Sequence, residues 1–195
     1  MEHFERTLRI INNAVRSIKE EEFNALKKDC LNTLNAGGKI IATGLGKNVP
    51  ICEKFVGSLN SLGIPAAFMH TNSAVHGDLG IVRNGDLVIV LSKSGETSES
   101  VHLARLLKKR DSNIWLLSFS YESSLCREIQ NRVIVKLEHE GDEWNIVPNN
   151  STLLNLIILQ ELAMLIVKEQ RVGIEALRQN HPGGAIGMHL SMENA

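Results

Sequence analysis

Apolar residues near the start of the chain recur at the spacing of one helix face. They fall into two sets, Phe4/Leu8/Ile11/Val15 and Phe23/Leu26/Cys30/Leu34. Residues three and four positions apart lie on the same side of a helix, so each set predicts an amphipathic helix. The run "NAGG" that follows is typical of a helix stop.

After that stop, the pattern changes to short, almost continuous apolar runs separated by helical segments. The predicted strands are KIIATG, IPAAFMH, DLVIVLS, NIWLLSF and RVIVKL, and the segments KNVPICEKFVGSLNSLG, SESVHLARLLKKR and SSLCREI between them read as helices. Strands that are apolar on both sides and alternate with helices indicate an α/β fold, with a parallel sheet covered on both faces.

A long apolar helix is predicted from Ser151 to Glu169. Its most apolar segment, Leu153 to Val167, is interrupted by Asn155, Gln160 and Glu161 and is too short for a bilayer span. We therefore read the helix as a buried one that needs cover on more than one side. The sheet supplies one cover, and a second subunit is the candidate for the other. A tail from position 173 ends the chain. No linker or internal repeat interrupts residues 1–195, so we expect a single domain.

Composition and charge indicate which classes of partner to expect. Lys and Arg number 21 against 22 Asp and Glu, the formal charge is −1, and aromatic residues make up 4%. No basic block or stacking platform suggests nucleic acid, and no apolar leader suggests secretion or a membrane. The three scattered cysteines, Cys30, Cys52 and Cys126, are expected to be reduced packing residues of a cytoplasmic protein. The expected partner is small and neutral or anionic.

The third predicted strand ends in a dense polar loop, SKSGET, at residues 92–97. Ligands of open parallel sheets bind at the carboxyl ends of strands, and a helix beginning here would aim backbone N–H groups at an anion. Ser92, Ser94 and Thr97 add hydroxyl donors, and Gly95 allows a tight turn, so the loop predicts a phosphate cradle. The alternative is a simple helix cap with Ser94 or Thr97 as the N-cap.

Other loops carry candidate chemistry that is weaker alone. Gly46 and Lys47 follow the first strand, although the glycine spacing there does not match a dinucleotide-binding loop. His76 lies in SAVHGDLG, Glu140 in EHEGDEW and His181 in NHPGGAIG. Each could equally be a solvated loop residue. His76 with a nearby aspartate is not a metal-ligand set, so no metal is expected.

Taken in order, these segments resemble the sugar isomerase (SIS) domain family and, within it, the arabinose-5-phosphate isomerase branch. The matching segments are GLGKN (44–48), AVHGDLGIV (74–82), DLVIVLSKSGETSE (86–99), PNNST (148–152) and HPGGAIG (181–187). The resemblance implies a three-layer sandwich with a five-stranded parallel sheet, a bound phosphosugar, no cofactor, and a homodimer or homotetramer.

The same resemblance implies the site residues. Catalytic roles fall on Lys47, His76, Glu96, Glu140 and His181. Glu138 and Glu143 lie close to Glu140 and are the alternatives for its role. Substrate and phosphate contacts fall on Gly46, Asn48, Ser92, Lys93, Ser94, Gly95, Thr97, Ser151 and Thr152.

Three departures from the branch pattern, at four positions, concern the choice of substrate. Asn48 stands where serine is usual, Lys93 where asparagine is usual, and Asn149 and Asn150 replace hydroxyl residues. The tandem CBS domains common in the branch are expected to be absent.

The implied reaction is interconversion of an aldose and a ketose phosphate, most simply D-arabinose 5-phosphate and D-ribulose 5-phosphate, through an enediolate. It needs a base, which Glu96 or Glu140 would supply, a histidine to assist ring opening or move the hydroxyl proton, and Lys47 to stabilise negative charge. Two alternatives stay open: an isomerase of another phosphosugar, and a regulatory protein that binds a phosphosugar without turnover.

Overall fold

The computed structural model describes residues 1–110 and 112–192, and the described chain folds around one parallel sheet. The strands are β1 (Ile40–Gly44), β2 (Ala66–His70), β3 (Leu87–Ser92), β4 (Asn113–Ser118) and β5 (Asn131–Ile134). The helices are α1 (Glu2–Arg16), α2 (Glu20–Asn35), α3 (Asn48–Ser61), α4 (Thr71–Ala74), α5 (Ser98–Leu107), α6 (Ser124–Glu128), α7 (Asn150–Glu169), α8 (Ile174–Asn180) and α9 (Gly184–Met192).

The strand order is β2-β1-β3-β4-β5, and every neighbouring pair is parallel. The chain leaves β1 toward β2 and then returns across β1 to form β3. The direction of winding therefore reverses between β1 and β3, and the loops that follow these two strands diverge. A crevice at such a point is where open α/β sheets bind ligands.

Alternate residues of each strand enter two separate cores, one on each face of the sheet. Ile40, Ala42 and Leu91 pack on the face covered by α1, α2, α3 and α7. Ile41 and Val90 pack on the opposite face with residues of α5 and α6. The predicted three-layer sandwich with a five-stranded parallel sheet is therefore confirmed.

Helix α7 is the longest element of the described chain. It is long and apolar enough to cross a membrane by length and composition, but half of that stretch is buried inside the protein, against α1, α2 and α3. Its outward side leaves Leu153, Ile157 and Met164 between 37% and 40% exposed. Burial on one side agrees with the prediction of a core helix, and the exposed apolar residues mark the side that the sheet does not cover.

The structure departs from the sequence prediction in two places. Strand β5 ends at Ile134, although RVIVKL predicts a strand to Leu137, because its partner β4 ends at Ser118. The last contact between the two is the Val135 N–H, which donates to Ser118 O at 2.9 Å. The tail is also more ordered than predicted, since it forms α8 and α9.

Candidate functional site

A cavity of about 290 Å³ lies between the loops that follow β1 and β3. It is called the cradle cavity below. It is lined by Leu45, Gly46, Lys47, Asn48, Leu91, Ser92, Lys93, Ser94, Thr97, Ser100 and Pro148. The site residues predicted from sequence include seven of these: Gly46, Lys47, Asn48, Ser92, Lys93, Ser94 and Thr97. The cavity thus lies at the switch point of the sheet and combines two lysines with several hydroxyl groups.

The loop after β3 is folded by its own polar groups. Ser92 Oγ accepts the Gly95 N–H at 3.2 Å, and Ser94 Oγ accepts the Glu96 N–H at 3.2 Å. Both bonds use the hydroxyl oxygen as acceptor and leave its hydrogen to donate. Thr97 occupies the N-cap position of α5 but makes no side-chain cap bond. The capping interpretation of this loop therefore does not account for its hydroxyl groups, which are available to an anion.

Gly95 holds this loop against the next strand connection. Its φ is +68°, a region that side chains rarely adopt, and a Cβ here would lie 2.6 Å from Ser123 Cβ. The Leu125 N–H donates to Gly95 O at 3.0 Å, and Glu96 Oε1 accepts the Ser124 N–H at 2.8 Å. The cradle loop is therefore fastened to the start of α6.

Glu140 is the most completely buried carboxylate of the site, with a side chain 0% exposed. Its Oε2 accepts the backbone N–H groups of Asn149 at 3.0 Å and Ser151 at 2.9 Å, at the start of α7. Its Oε1 forms an ion pair with Lys93 Nζ at 2.7 Å. Burial acts to raise the pKa of Glu140, but Lys93 and the Ser151 hydrogen bonds outweigh it and hold the pKa below its ordinary value.

The three departures from the branch pattern contact this same region. The Asn155 side chain of α7 donates to Asn48 Oδ1 at 2.9 Å. The Asn150 side chain donates to His139 O at 2.8 Å, beside Glu140. Lys93 forms the ion pair just described. These residues therefore stabilise the surroundings of Glu140.

The remaining predicted catalytic residues lie elsewhere in the described chain. Glu96 is exposed, and its bond to the Ser124 N–H, with the nearby Arg127 charge, lowers the pKa of this carboxyl. His76 lines a separate cavity of about 480 Å³ on the α4 and α5 side. His181 Nδ1 lies 2.8 Å from Leu177 O after α8. Neither these three residues nor Glu140 is among the residues that line the cradle cavity. Glu140 lines an adjoining cavity with Lys93 and Ser94, and all four catalytic roles stay predictions.

The two hydroxyl residues predicted at the start of α7 have structural partners. Ser151 is buried and gives its N–H to Glu140, and Thr152 Oγ1 donates to the carbonyls of Pro148 and Asn149 at 2.9 and 2.8 Å. Sequence reasoning missed Ser100, which is buried and lines the cradle cavity. The signal was present, because Thr97 and Ser100 are three positions apart at the start of one helix and so share its face.

Comparison with known proteins agrees with the geometry. The SIS domain family model matches residues 33–165, more than half of the 195 residues. The arabinose 5-phosphate isomerase KdsD of Pseudomonas aeruginosa is 29% identical over 189 residues, covering 97% of this chain and 58% of that protein. KdsD of Escherichia coli K12 is 35% identical over 153 residues, covering 78% and 47%. The chain spans about half the length of these relatives.

Among solved structures, an E. coli CFT073 protein in complex with arabinose 5-phosphate superposes with a TM-score of 0.86. It is 29% identical in sequence, and the match covers 93% of this chain and 95% of that one. The fold therefore agrees along almost the full length of both chains.

Proposed function

The chain belongs to the SIS domain family, and from this premise we propose that it is an aldose-ketose isomerase of a sugar phosphate. The observation that carries the proposal is the ion pair that joins the buried Glu140 to Lys93, because Lys93 also lines the cavity of hydroxyl groups and lysines. A phosphosugar isomerase requires both features, an anion site for the phosphate and a carboxylate for the carbon-bound proton. Sensing alone would require only the first.

We assign the phosphate to the cradle loop. Ser94 and Thr97, at the N-terminus of α5, line the cradle cavity, and this helix has ten residues whose dipole favours an anion. Lys47, at the N-terminus of α3, lines the same cavity. The charge of Lys47 stabilises the negative charge that develops on the enediolate oxygen.

We assign the general base to Glu140 rather than Glu96. Glu140 is held by α7 at a fixed position beside Lys93, whereas Glu96 is exposed and bonded to the Ser124 N–H. An ionised carboxylate is the competent form of a base, and the pKa is lowered for both carboxyls, so the assignment rests on the fixed position of Glu140. The proton removed from C2 of the aldose is returned to C1, and the hydroxyl proton passes from O2 to O1, which gives the ketose without a redox cofactor.

D-arabinose 5-phosphate and D-ribulose 5-phosphate are the proposed substrate pair. The named relatives and the solved complex with arabinose 5-phosphate support it. A homodimer or homotetramer in the cytoplasm is proposed as well, with the exposed apolar side of α7 as part of the subunit contact and His181 reaching a neighbouring site. Another phosphosugar, such as a hexulose or heptulose phosphate, is the second candidate, because Asn48 and Lys93, which depart from the branch pattern, both line the cradle cavity.

The test is exchange of the sugar's C2 hydrogen in deuterated water, followed by NMR across a panel of aldose and ketose phosphates. We expect exchange with arabinose 5-phosphate, and a loss of about 100-fold or more in turnover for Glu140→Gln with substrate binding retained. Glu138→Gln, an exposed neighbour, is the matched control and should behave as the parent. Tight binding without exchange of any sugar would replace the isomerase by a sensor. A greater loss of turnover for Glu96→Gln than for Glu140→Gln would assign the general base to Glu96.

A further inference from the structure

Lys93 stands between the cradle cavity and a second cavity. The second cavity has a volume of about 400 Å³, and its lining includes Lys93, Ser94, Ser120, Glu140 and Asn145. The side chain of Lys93 is 41% exposed, whereas that of its partner Glu140 is 0% exposed. The same ammonium group therefore belongs to a residue that borders a buried carboxylate and also the cavity assigned to an anion.

The backbone of Lys93 is fixed although its side chain can move. Its carbonyl accepts the Phe119 N–H at 3.2 Å and the Ser118 hydroxyl at 3.2 Å. A lysine side chain is a flexible four-carbon stem, so its ammonium can turn from one anion to another while the loop stays in place. No rearrangement of the fold is required for the exchange.

Glu140 keeps its position without Lys93. Its Oε2 is held by two N–H groups of α7, its own N–H donates to Asn145 Oδ1 at 2.7 Å, and its carbonyl accepts the Asn150 N–H at 3.2 Å. If the ammonium leaves, the carboxylate therefore remains in place and loses a charge partner.

Two other titratable groups beside Glu140, those of His139 and Asp142, are turned to backbone partners. His139 Nδ1 accepts the Gly141 N–H at 2.9 Å. The carboxylate of Asp142 accepts backbone N–H groups of the segment 144–147. Lys93, from the loop after β3, is in direct ion-pair contact with Glu140, and Lys47 borders the cradle cavity. Lys93 is thus the side chain through which an anion in the cradle can act on Glu140.

We propose that Lys93 is a cation shared between Glu140 and the bound phosphate, so that occupancy of the cradle withdraws positive charge from the carboxylate. This inference rests on the proposed function of the cradle as a phosphate site. In the empty protein the charge of Glu140 is then paired with that of Lys93. When a phosphorylated substrate is bound, Glu140 becomes more basic. Lys93 then acts on Glu140 through its charge and also contacts the phosphate.

The test is a double-mutant cycle on the binding of inorganic phosphate, measured by calorimetry on the full chain near neutral pH at fixed ionic strength. Glu140→Gln keeps an oxygen for the two α7 N–H groups and removes the competing charge, so phosphate should bind about 5-fold tighter or more. Lys93→Met should weaken phosphate binding about 10-fold. In the Lys93→Met background, Glu140→Gln should change the affinity by less than about twofold, while Lys93→Arg should keep the coupling.

The outcomes separate the coupling from the cradle itself. If the parent protein binds no phosphate, the cradle fails and the coupling with it. If phosphate binds and Glu140→Gln has the same effect with and without Lys93, the cradle stands and the coupling is wrong. Should a variant fail to fold, carbon NMR of the Glu140 carboxyl in the parent protein answers the same question, because added phosphate must raise its pKa. An unchanged titration would overturn the proposal.

Discussion

Gly95→Ala should destabilise the protein by a steric clash with Ser123, and this clash can be measured separately from the cost of the left-handed φ. The new Cβ would lie 2.6 Å from Ser123 Cβ, closer than real Cβ contacts allow, and 3.7 Å from Leu125 Cβ. Gly46 offers a matched control in the neighbouring loop. Its φ of +56° is similar, but a Cβ there would meet nothing within 4 Å.

The two substitutions share one cost and differ in another. A left-handed φ costs a non-glycine residue about 1–2 kcal/mol, and the loss of unfolded-state freedom returns about 0.4–1 kcal/mol. Gly46→Ala should therefore lower the free energy of unfolding by about 1.6 kcal/mol or less. Gly95→Ala adds the overpacking against Ser123, which costs about 1–3 kcal/mol more.

Urea unfolding followed by circular dichroism measures both variants, and thermal unfolding should place Gly95→Ala roughly 2–10 °C below Gly46→Ala for a chain of this size. In a Ser123→Gly background, which removes the obstructing Cβ, the extra cost of Gly95→Ala should disappear although that of φ remains. Equal costs for the two alanine variants, or an unchanged cost in the Ser123→Gly background, would show that the close approach of Gly95 to Ser123 is wrong.

Three further predictions test the cradle, the Lys39–Asp86 ion pair at the opposite end of the sheet, and the assembly. Replacing Ser94 and Thr97 together by alanine should weaken phosphosugar binding by about 1–3 kcal/mol per bond in calorimetry, with unfolding unchanged. Burial raises the pKa of Asp86, but hydrogen bonds from Lys39 and the Arg83 N–H outweigh it and lower the pKa below 3.8, so its stabilisation is present above that pH and is lost as the pH falls through the lower folded value. Asp86→Asn should therefore cost about 3 kcal/mol in urea unfolding near pH 7, and much less well below pH 3.8. Light scattering at micromolar concentration should show an oligomer that Ile157→Glu weakens, and a monomeric parent would contradict this.

Much of the fold could be predicted because short-range patterns carry it. A strand buried on both faces, such as Leu87–Ser92, must be apolar almost throughout, and it ends where the polar loop begins. The end of β5 could not be predicted in this way. Val135 is as buried and apolar as the strand before it, and the strand stops because β4 beside it stops. A boundary set by the partner strand leaves no trace in the sequence of the strand itself.

The site divides along the same line. The cradle loop could be predicted because its hydroxyl groups are adjacent in sequence. The Lys93–Glu140 ion pair could not, because it joins the loop after β3 to the segment before α7, and neither residue's neighbours indicate the other. The family resemblance implies a phosphate contact for Lys93 and a catalytic role for Glu140, and both stay predictions. The geometry joins them through one charge.

The positions where this chain departs from the branch pattern converge on α7. Asn48 accepts a hydrogen bond from Asn155, which lies one helical turn after Ser151. The N–H of Ser151 donates to Glu140. Asn150 fastens the carbonyl of His139 to the first turn of the same helix. Each bond restrains the helix end that holds the carboxylate, and a helix N-terminus favours the ionised form.

A carboxylate that is buried and already stabilised by a helix and by Lys93 is a weak base, so a base in this position needs a means of losing one of those partners. Helix α7 cannot move without breaking the core, because its inward residues, such as Leu159 and Leu162, are fully buried there. The lysine can turn, since its side chain is 41% exposed and only its backbone is fixed. The exchange of Lys93 between Glu140 and phosphate is therefore the step at which this arrangement could be made catalytic only when a phosphorylated substrate is present.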